Sequence, residues 1–265
     1  LRMPTVNWPD VTIVNVGVLT PHGTAGADVE FEVMAGDKVS TRVAQISLAQ
    51  AGGNPAPPTS PGELRSHAHP SVVDIAAAEL EPATLAAIAY ASTSSAYVIG
   101  PDAERDLTER LRARWSIPVF STPSSAVDAL RKFEVQRLAV VHPSWFGEVH
   151  NALGAAYFRD QGFTVVQAEL ADVQGDPDLV EVDSVVEWVS NHVDRDAEAV
   201  FLGGNGFRAA GAVAELEKRL RCLVLESNQV LLWSILSETG SPVSIRGFGR
   251  LFHATGSAST SGHYR

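Results

Sequence analysis

Short apolar runs alternate along the chain with longer amphipathic stretches. Runs rich in β-branched residues are typical of buried strands, whereas apolar residues at helical spacing are typical of helices. The predicted strands lie at residues 11–19, 42–48, 88–90, 118–120, 137–141, 164–170, 199–202 and 223–225. The predicted helices lie at residues 28–34, 70–80, 101–114, 124–133, 148–161, 184–192, 210–220 and 228–236. Because strands that alternate with helices pair mainly in parallel, the pattern predicts an α/β fold.

A weak internal repeat divides the predicted elements into two similar halves. In each half a strand leads to a loop of small and polar residues, at 91–95 and at 203–208, and a helix, a short strand and a second helix follow. We therefore predict two similar lobes related by a pseudo-twofold axis, each a mainly parallel sheet flanked by helices, with the site in the cleft between them. The predicted first lobe comprises residues 1–121 with 228–265, and the second comprises residues 122–227.

The two loops carry groups that bind anions. Serine and threonine hydroxyls and the backbone N–H groups of glycine-rich turns can hold a carboxylate or stabilise an enediolate. We expect the loops to form facing walls of one cleft, because ligands bind at the carboxyl ends of parallel strands. The candidate substrate-binding residues in these loops are Thr93, Ser94, Gly204, Asn205 and Arg208. The alternative is that residues 92–95 only cap the next helix and that residues 203–206 form a tight turn.

Three residues are candidates for proton chemistry. His22 and His142 directly follow predicted strands, and histidine titrates near neutral pH. Ser92 occupies the first polar loop and is the third candidate. The alternatives are that the histidines cap helices or are satisfied loop residues, and that Arg208, which could pair with a substrate carboxylate, is a helix-surface arginine.

No metal or cofactor is expected. Residues 54–62 carry several prolines and predict a surface loop, and His67 and His69 are assigned to a Pro-rich loop. A His-x-His pair can ligate a metal, but the sequence offers no third ligand nearby. The glycines around Gly203 lack the full G-x-G-x-x-G spacing of a dinucleotide site.

Composition narrows the possible partners and the compartment. The chain has 20 lysines and arginines against 31 aspartates and glutamates, a formal net charge of −11. This charge argues against nucleic-acid and anionic-membrane binding. Cys222 is the chain's only cysteine, so no intrachain disulfide forms. No apolar run approaches the roughly 18 residues of a membrane span, and the first residues lack the apolar core of a signal peptide, so we expect a cytoplasmic protein.

Several fragments, taken in order, resemble a known family. They are residues 16–21, 90–94, 121–127, 138–143 and 203–208. Together they resemble the maleate cis-trans isomerase and arylmalonate decarboxylase family, which belongs to the aspartate/glutamate racemase superfamily. The resemblance implies a cofactor-independent isomerase, racemase or decarboxylase that acts on a small carboxylic acid. We also expect a homo-oligomer.

The resemblance also identifies a departure in chemistry. The family places a catalytic cysteine in each of the two loops, and the corresponding residues here are Ser92 and Gly204. A serine hydroxyl is far less acidic than a thiol and needs an adjacent base, and glycine has no side chain. Cys222 lies on a predicted strand outside this pattern. Racemisation by two cysteines and cysteine addition to a double bond are therefore not expected, whereas the family's decarboxylases need only one proton donor.

Two further positions follow from the resemblance. Thr24 stands where the isomerases usually carry asparagine, and Trp145 or Ser144 falls near the position of a substrate-binding tyrosine. The resemblance therefore makes Thr24 and Trp145 candidate substrate-binding residues.

The sequence thus favours an isomerase-, racemase- or decarboxylase-like enzyme in which a serine, a histidine or a bound water replaces the thiol. The alternative is a non-catalytic binder of small acids, or a partner subunit, derived from the same family. A third interpretation, an inactivated variant of a cysteine enzyme, requires two independent substitutions.

Overall fold

Eight parallel strands form two four-stranded sheets in residues 13–51, 58 and 60–255, the part of the chain that the computed structural model describes. The first sheet contains β1 (Val14–Thr20), β2 (Val39–Gln45), β3 (Ala87–Tyr90) and β4 (Val119–Ser121), in the order β2-β1-β3-β4. The second contains β5 (Arg137–Pro143), β6 (Thr164–Ala171), β7 (Ala199–Leu202) and β8 (Leu223–Glu226), in the order β6-β5-β7-β8. The predicted α/β fold with two similar parallel-sheet lobes is therefore confirmed.

Helices flank both sheets. They are α1 (Ala27–Ala35), α2 (Pro61–His67), α3 (Pro70–Glu79), α4 (Thr93–Trp115), α5 (Thr122–Lys132), α6 (Gly147–Asp160), α7 (Val182–His192), α8 (Val213–Leu220) and α9 (Ser227–Glu238). Helix α4 is broken at Gly100, which has a φ of 81° and directly precedes Pro101. No helix in the described ranges has the length and apolar character required to cross a bilayer.

The sequence pattern misses helix α2. A loop was predicted through residue 62, but Ser60 and Glu63 form a capping box that starts the helix at Pro61. The helix is short and mostly polar, so it gives no apolar period. Residues 11 and 12 of the first predicted strand, and most of the predicted loop at 54–62, lie outside the described residues.

The inner strands of each sheet are covered on both faces, which explains why β3, β5 and β7 read as continuous apolar runs. Val16 and Val18 of β1 share one apolar core with Leu138 and Val140 of β5 and with helices α1, α5 and α9. Leu19 points to the opposite face, where α3 and α4 cover the first sheet. Helices α7 and α8 cover the corresponding face of the second sheet.

The strand order places a topological switch point in each sheet. The chain leaves β1 toward β2 on one side and leaves β3 toward β4 on the other, and β5 and β7 repeat this arrangement. Ligands of open α/β sheets bind outside the carboxyl ends of the strands at such a point. The fold therefore predicts a ligand site among the four loops that follow β1, β3, β5 and β7.

The lobe boundaries stay a prediction. Helix α9, assigned to the first lobe, packs against α1 and also against α5, which was assigned to the second. The helix thus contacts elements from both sides of the proposed division.

Candidate active site

A central cavity of about 360 Å³ lies where these four loops converge. Its polar lining includes Thr20, His22, Thr24, Asp28, Ser92, Thr93, Ser94, His150, Asn205 and Gly206. Its apolar lining includes Val18, Ala27, Pro58, Leu64, Ala91, Trp145, Phe146 and Pro177. Neither lysine nor arginine is among the lining residues that the structure describes. The size and the mostly apolar wall are those of a small-molecule site.

Asn205 joins the two predicted loops directly. Its Oδ1 accepts hydrogen bonds from the backbone N–H and the hydroxyl of Thr93, at 3.0 and 2.8 Å. Its Nδ2 donates to Thr122 Oγ1 at 3.0 Å and to Asn228 Oδ1 at 2.8 Å. The loops therefore meet through a buried polar network. Thr93 and Asn205 line the cavity, but these polar groups already have partners within the protein.

The neighbouring serines Ser92 and Ser94 differ in their bonding. Ser92 is the N-cap of α4, where its Oγ accepts from the N–H of Ser95 at 3.4 Å and donates to Ser95 Oγ at 2.7 Å. Ser92 therefore caps helix α4, which is the alternative interpretation of residues 92–95. Among the described residues, neither the N–H nor the hydroxyl of Ser94 makes a hydrogen bond. Ser94 is thus a cavity residue with donors available to a ligand.

Gly204 is not among the residues that line the cavity, which corrects the prediction that it contacts the substrate. Its φ is 115°, and its N–H donates to Ser227 Oγ at 2.8 Å. A Cβ at this position would lie 3.2 Å from the ring of Phe146, and Phe146 rather than Gly204 lines the cavity. The backbone amide predicted to bind a carboxylate already has a partner.

His22, Thr24 and Trp145 lie in the cavity wall, and their functional roles stay predictions. The ring of Trp145 packs edge-on against Phe207, with centroids 6.1 Å apart. Burial, with smaller contributions from neighbouring histidines, lowers the pKa of His22 to about 4.

His142 lies below the cavity rather than in it, which corrects its assignment as an acid or base. Its Nδ1 is 2.9 Å from Asn151 Oδ1, its Nε2 is 3.1 Å from Tyr97 Oη, and its ring stacks on Phe146 at 5.0 Å. Strand β5 extends to Pro143, beyond the predicted end, and therefore carries His142 into the core. Burial lowers the pKa of His142 to about 4.

Arg208 does not line the cavity, contrary to its predicted role. Its Nη2 donates to the carbonyl of Pro177 and lies 3.4 Å from Asp178 Oδ1. No helix begins at Arg208, because its φ of 50° turns the chain after a short helical turn. The guanidinium is thereby drawn to the segment before α7.

The sequence analysis missed His150. This residue lies on α6, lines the cavity and is only 9% exposed. Its Nδ1 is 2.9 Å from the carbonyl oxygen of Phe146, and its Nε2 is buried without a partner in the described part of the chain. The signal that could have found it is its place in the first turns of the helix that follows a central strand.

A buried carboxyl pair lies behind the loop of Asn205. Glu30 Oε1 accepts from Ala210 N–H at 2.9 Å and Oε2 from Asn228 Nδ2 at 2.7 Å, while Glu226 Oε2 caps α9 through the N–H groups of Asn228 and Gln229. The two carboxyls influence each other's pKa, and Glu226 Oε1 is buried without a hydrogen-bond partner among the described residues. Burial raises the pKa of Glu30 to about 7, and burial together with Glu30 raises the pKa of Glu226 well above its usual range. The pair was not predicted.

The remaining residues with ligand chemistry do not line the cavity. His67 ends α2 with its Nδ1 2.8 Å from Glu63 O, and His69 caps α3 by accepting from Ser71 N–H at 3.3 Å. Cys222, in the turn before β8, is half-buried, and burial raises its pKa.

Sequence comparison identifies a family that covers most of the chain. The model of the family described as arylmalonate decarboxylase matches residues 64–252. The arylmalonate decarboxylase of Bordetella bronchiseptica is 24% identical over 187 residues, which is 69% of this chain and 77% of that protein.

Solved structures show the same fold. The maleate isomerase Iso from Pseudomonas putida S16 superposes with a TM-score of 0.78 at 18% identity, covering 92% of this chain and 99% of that one. A crystal structure of arylmalonate decarboxylase gives 0.74 at 18% identity, with coverage of 90% and 99%. A maleate cis-trans isomerase mutant from Nocardia farcinica, with a covalently bound succinylcysteine intermediate, gives 0.75 at 19% identity, with coverage of 91% and 98%.

Proposed function

The chain belongs to the arylmalonate decarboxylase family, and from this premise we propose that it is a cofactor-independent enzyme of the isomerase or decarboxylase type, acting on a small carboxylic acid in the central cavity. The observation that carries the proposal is the cavity itself. It lies at the switch points of both sheets, and Ser94 offers it an N–H and a hydroxyl without other partners among the described residues. Such donors hold a carboxylate.

Within this group of reactions, the residues favour decarboxylation. Addition to a double bond needs a strong nucleophile, and the chain's only cysteine is not among the cavity residues. Racemisation by two bases needs acid–base groups on opposite faces of the substrate. Decarboxylation needs a held carboxylate, one proton donor and an apolar environment, which Val18, Leu64 and Phe146 provide.

The second candidate is a non-catalytic binder of small acids. Ser92 is engaged as a helix cap and Gly204 is not among the residues that line the cavity. Neither position that the resemblance assigns to a cysteine therefore presents a reactive group. Binding without turnover is the expected behaviour of this candidate.

Incubation with phenylmalonate, maleate, aspartate and glutamate tests both candidates. Turnover is followed by CO₂ release and by proton NMR in D₂O, and binding by calorimetry. Conversion of phenylmalonate would support decarboxylation, and conversion of maleate or an amino acid would support the isomerase type. Binding without conversion would favour the binder, and neither binding nor conversion would refute both.

A further inference from the structure

His150 presents a basic nitrogen at the cavity with no protein partner to occupy it. A carbonyl oxygen only accepts, so the 2.9 Å contact with Phe146 requires that Nδ1 carry the hydrogen. In the neutral ring Nε2 therefore holds the lone pair, and this atom is buried and unpaired within the described residues. The bond to Phe146 also fixes the ring on helix α6.

The described lining of the cavity offers an anion no permanent positive charge. The described lining includes neither lysine nor arginine, and Asp28, its one carboxylate, accepts from Gly26 N–H at 2.9 Å. Bringing a carboxylate into an apolar site without a counter-charge is costly, so a proton that accompanies the anion lowers this cost.

We propose, building on the function above, that His150 Nε2 takes up a proton as a dicarboxylate enters the cavity, and that it transfers this proton to the substrate during decarboxylation. His150 then serves both as the counter-charge for binding and as the acid of the reaction. The sequence pattern assigns proton chemistry to Ser92, His22 and His142, and not to His150.

The step balances in atoms and charge. The bond between the α-carbon and one carboxylate breaks, CO₂ leaves, and the electron pair of that bond stays on the α-carbon. This pair takes the proton from Nε2, and His150 returns to the neutral ring. A malonate-type acid consumes one proton when it loses CO₂, and the proton taken up on binding supplies it. Isomerisation and racemisation consume none.

The surrounding groups allow a single protonation at His150. Among the described residues, the titratable and charged groups on the cavity wall and on the elements around it include His22, Asp28, Glu30, Glu63, Arg65, His67, His142, Glu148, Asp176, Asp178 and Arg208. Burial lowers the pKa of both His22 and His142 to about 4, so both rings are neutral at pH 7 and do not repel a charge on His150. Arg208 lies against Pro177 and Asp178, outside the cavity lining.

Calorimetry in buffers of different ionisation enthalpy tests the proposal by counting protons. The probes are malonate and phenylmalonate, titrated in PIPES and in Tris. Wild type should take up a fraction approaching about one proton per dianion, and its affinity should fall as the pH rises, because binding is linked to proton uptake. His150→Gln should bind about tenfold more weakly without proton uptake, because the amide does not titrate in this range.

A matched control is available on the surface. His192 makes the same bond to the carbonyl four residues before it, with Nδ1 2.7 Å from Trp188 O, but it lies on α7 and is exposed. His192→Gln should retain the proton uptake of wild type.

Nitrogen NMR of ¹⁵N-histidine-labelled wild type gives a second readout that needs no variant to fold. One imidazole should change from the Nδ1–H tautomer to the doubly protonated form on malonate saturation, and paramagnetic or chemical-shift mapping should place it on α6. Binding without proton uptake, or uptake that survives in His150→Gln, would overturn the inference and leave the proposed function standing. Failure of every acid in the panel to bind wild type would refute the proposed function and with it the inference.

Discussion

Asn205 Oδ1 lies 3.0 Å from the backbone nitrogen of Thr93, a residue 112 positions earlier in the chain. The bond links the loop after β7 to the first turn of α4, and it is buried. The geometry of one cavity wall therefore depends on the other, because a shift of either loop breaks the same hydrogen bond.

Asn205→Ala should destabilise the fold by about 3 kcal/mol, because it leaves several buried donors and acceptors without partners. It should also weaken acid binding, since Thr93 loses its fixed position beside Ser94. Thermal and urea unfolding with parallel calorimetry measure the two effects. The exposed Asn191→Ala is the control, and an unfolding free energy equal to that control would contradict the assigned role.

Ser92→Ala and Ser94→Ala should differ in what they impair. Loss of the α4 cap at Ser92 should cost about 1 kcal/mol of stability. Loss of the Ser94 hydroxyl should weaken acid binding about three- to tenfold, the equivalent of one hydrogen bond, with little change in stability. Unfolding and calorimetric titration of both variants test the distinction. The exposed Ser184→Ala is the control, and the reverse pattern would show that Ser92 is the ligand contact.

Gly204→Ala should destabilise the protein by about 1–3 kcal/mol, because φ of 115° is unfavourable for residues with a Cβ. The added carbon would also press on Phe146. For the same reason, Gly204→Cys should not create an active thiol site in this chain. Gly175→Ala, where a Cβ meets nothing within 4 Å, is the control. An unfolding midpoint like that of the control would show that the loop relaxes freely.

Glu226→Gln should flatten the pH dependence of stability. The folded pKa of Glu30 is raised from 4.5 to about 7, so its stabilising contribution is complete below pH 4.5 and is lost as the pH rises toward 7. The variant keeps an oxygen for the α9 cap and places an amide where Glu226 Oε1 has no partner in the described chain.

At pH 8 the variant should be more stable than wild type, by an amount on the order of 3 kcal/mol, because one buried negative charge is removed. Urea unfolding from pH 4 to 8 measures this difference, with the exposed Glu238→Gln as the control. Parallel curves for the variant and wild type would contradict the coupling of the two carboxyls.

His142→Gln should reduce the loss of stability in acid without removing the acid–base chemistry of the site. The pKa of His142 is lowered from 6.5 to about 4, so the neutral ring stabilises the fold fully above pH 6.5 and loses this contribution as the pH falls toward 4. At pH 8 the variant should be less stable by about 1–3 kcal/mol, since Tyr97 and Asn151 lose a partner.

Unfolding at pH 4.5 and pH 8 tests this prediction, with His192→Gln as the control. Loss of ligand-linked proton uptake in a folded His142→Gln protein would restore His142 as a candidate acid.

The sequence predicts the strands and most helices because burial and amphipathicity are local properties. The same pattern predicts the loops at Ser92 and Asn205, because each loop comes directly after an apolar run. It does not predict their bonding, because Asn205 finds Thr93, Thr122 and Asn228 only after the chain has folded. Polar groups predicted to bind a ligand are therefore partly used by the protein.

The histidines show a second limit. The sequence pattern predicts that His142 follows a strand, but β5 extends past this residue. Both ring nitrogens of His142 are within hydrogen-bond distance of other side chains. His150 lies within an amphipathic helix, where no spacing distinguishes a cavity-facing position from an ordinary one. The side of α6 that faces the cavity depends on how this helix packs against β5.

The two sheets have the same strand order, as two copies of a half-length chain would have. In a pair of identical chains every substitution occurs twice, so both sheet edges would carry the same groups. In one continuous chain the two edges change independently, and here hydroxyls follow β3 whereas an imidazole and aromatic rings follow β5.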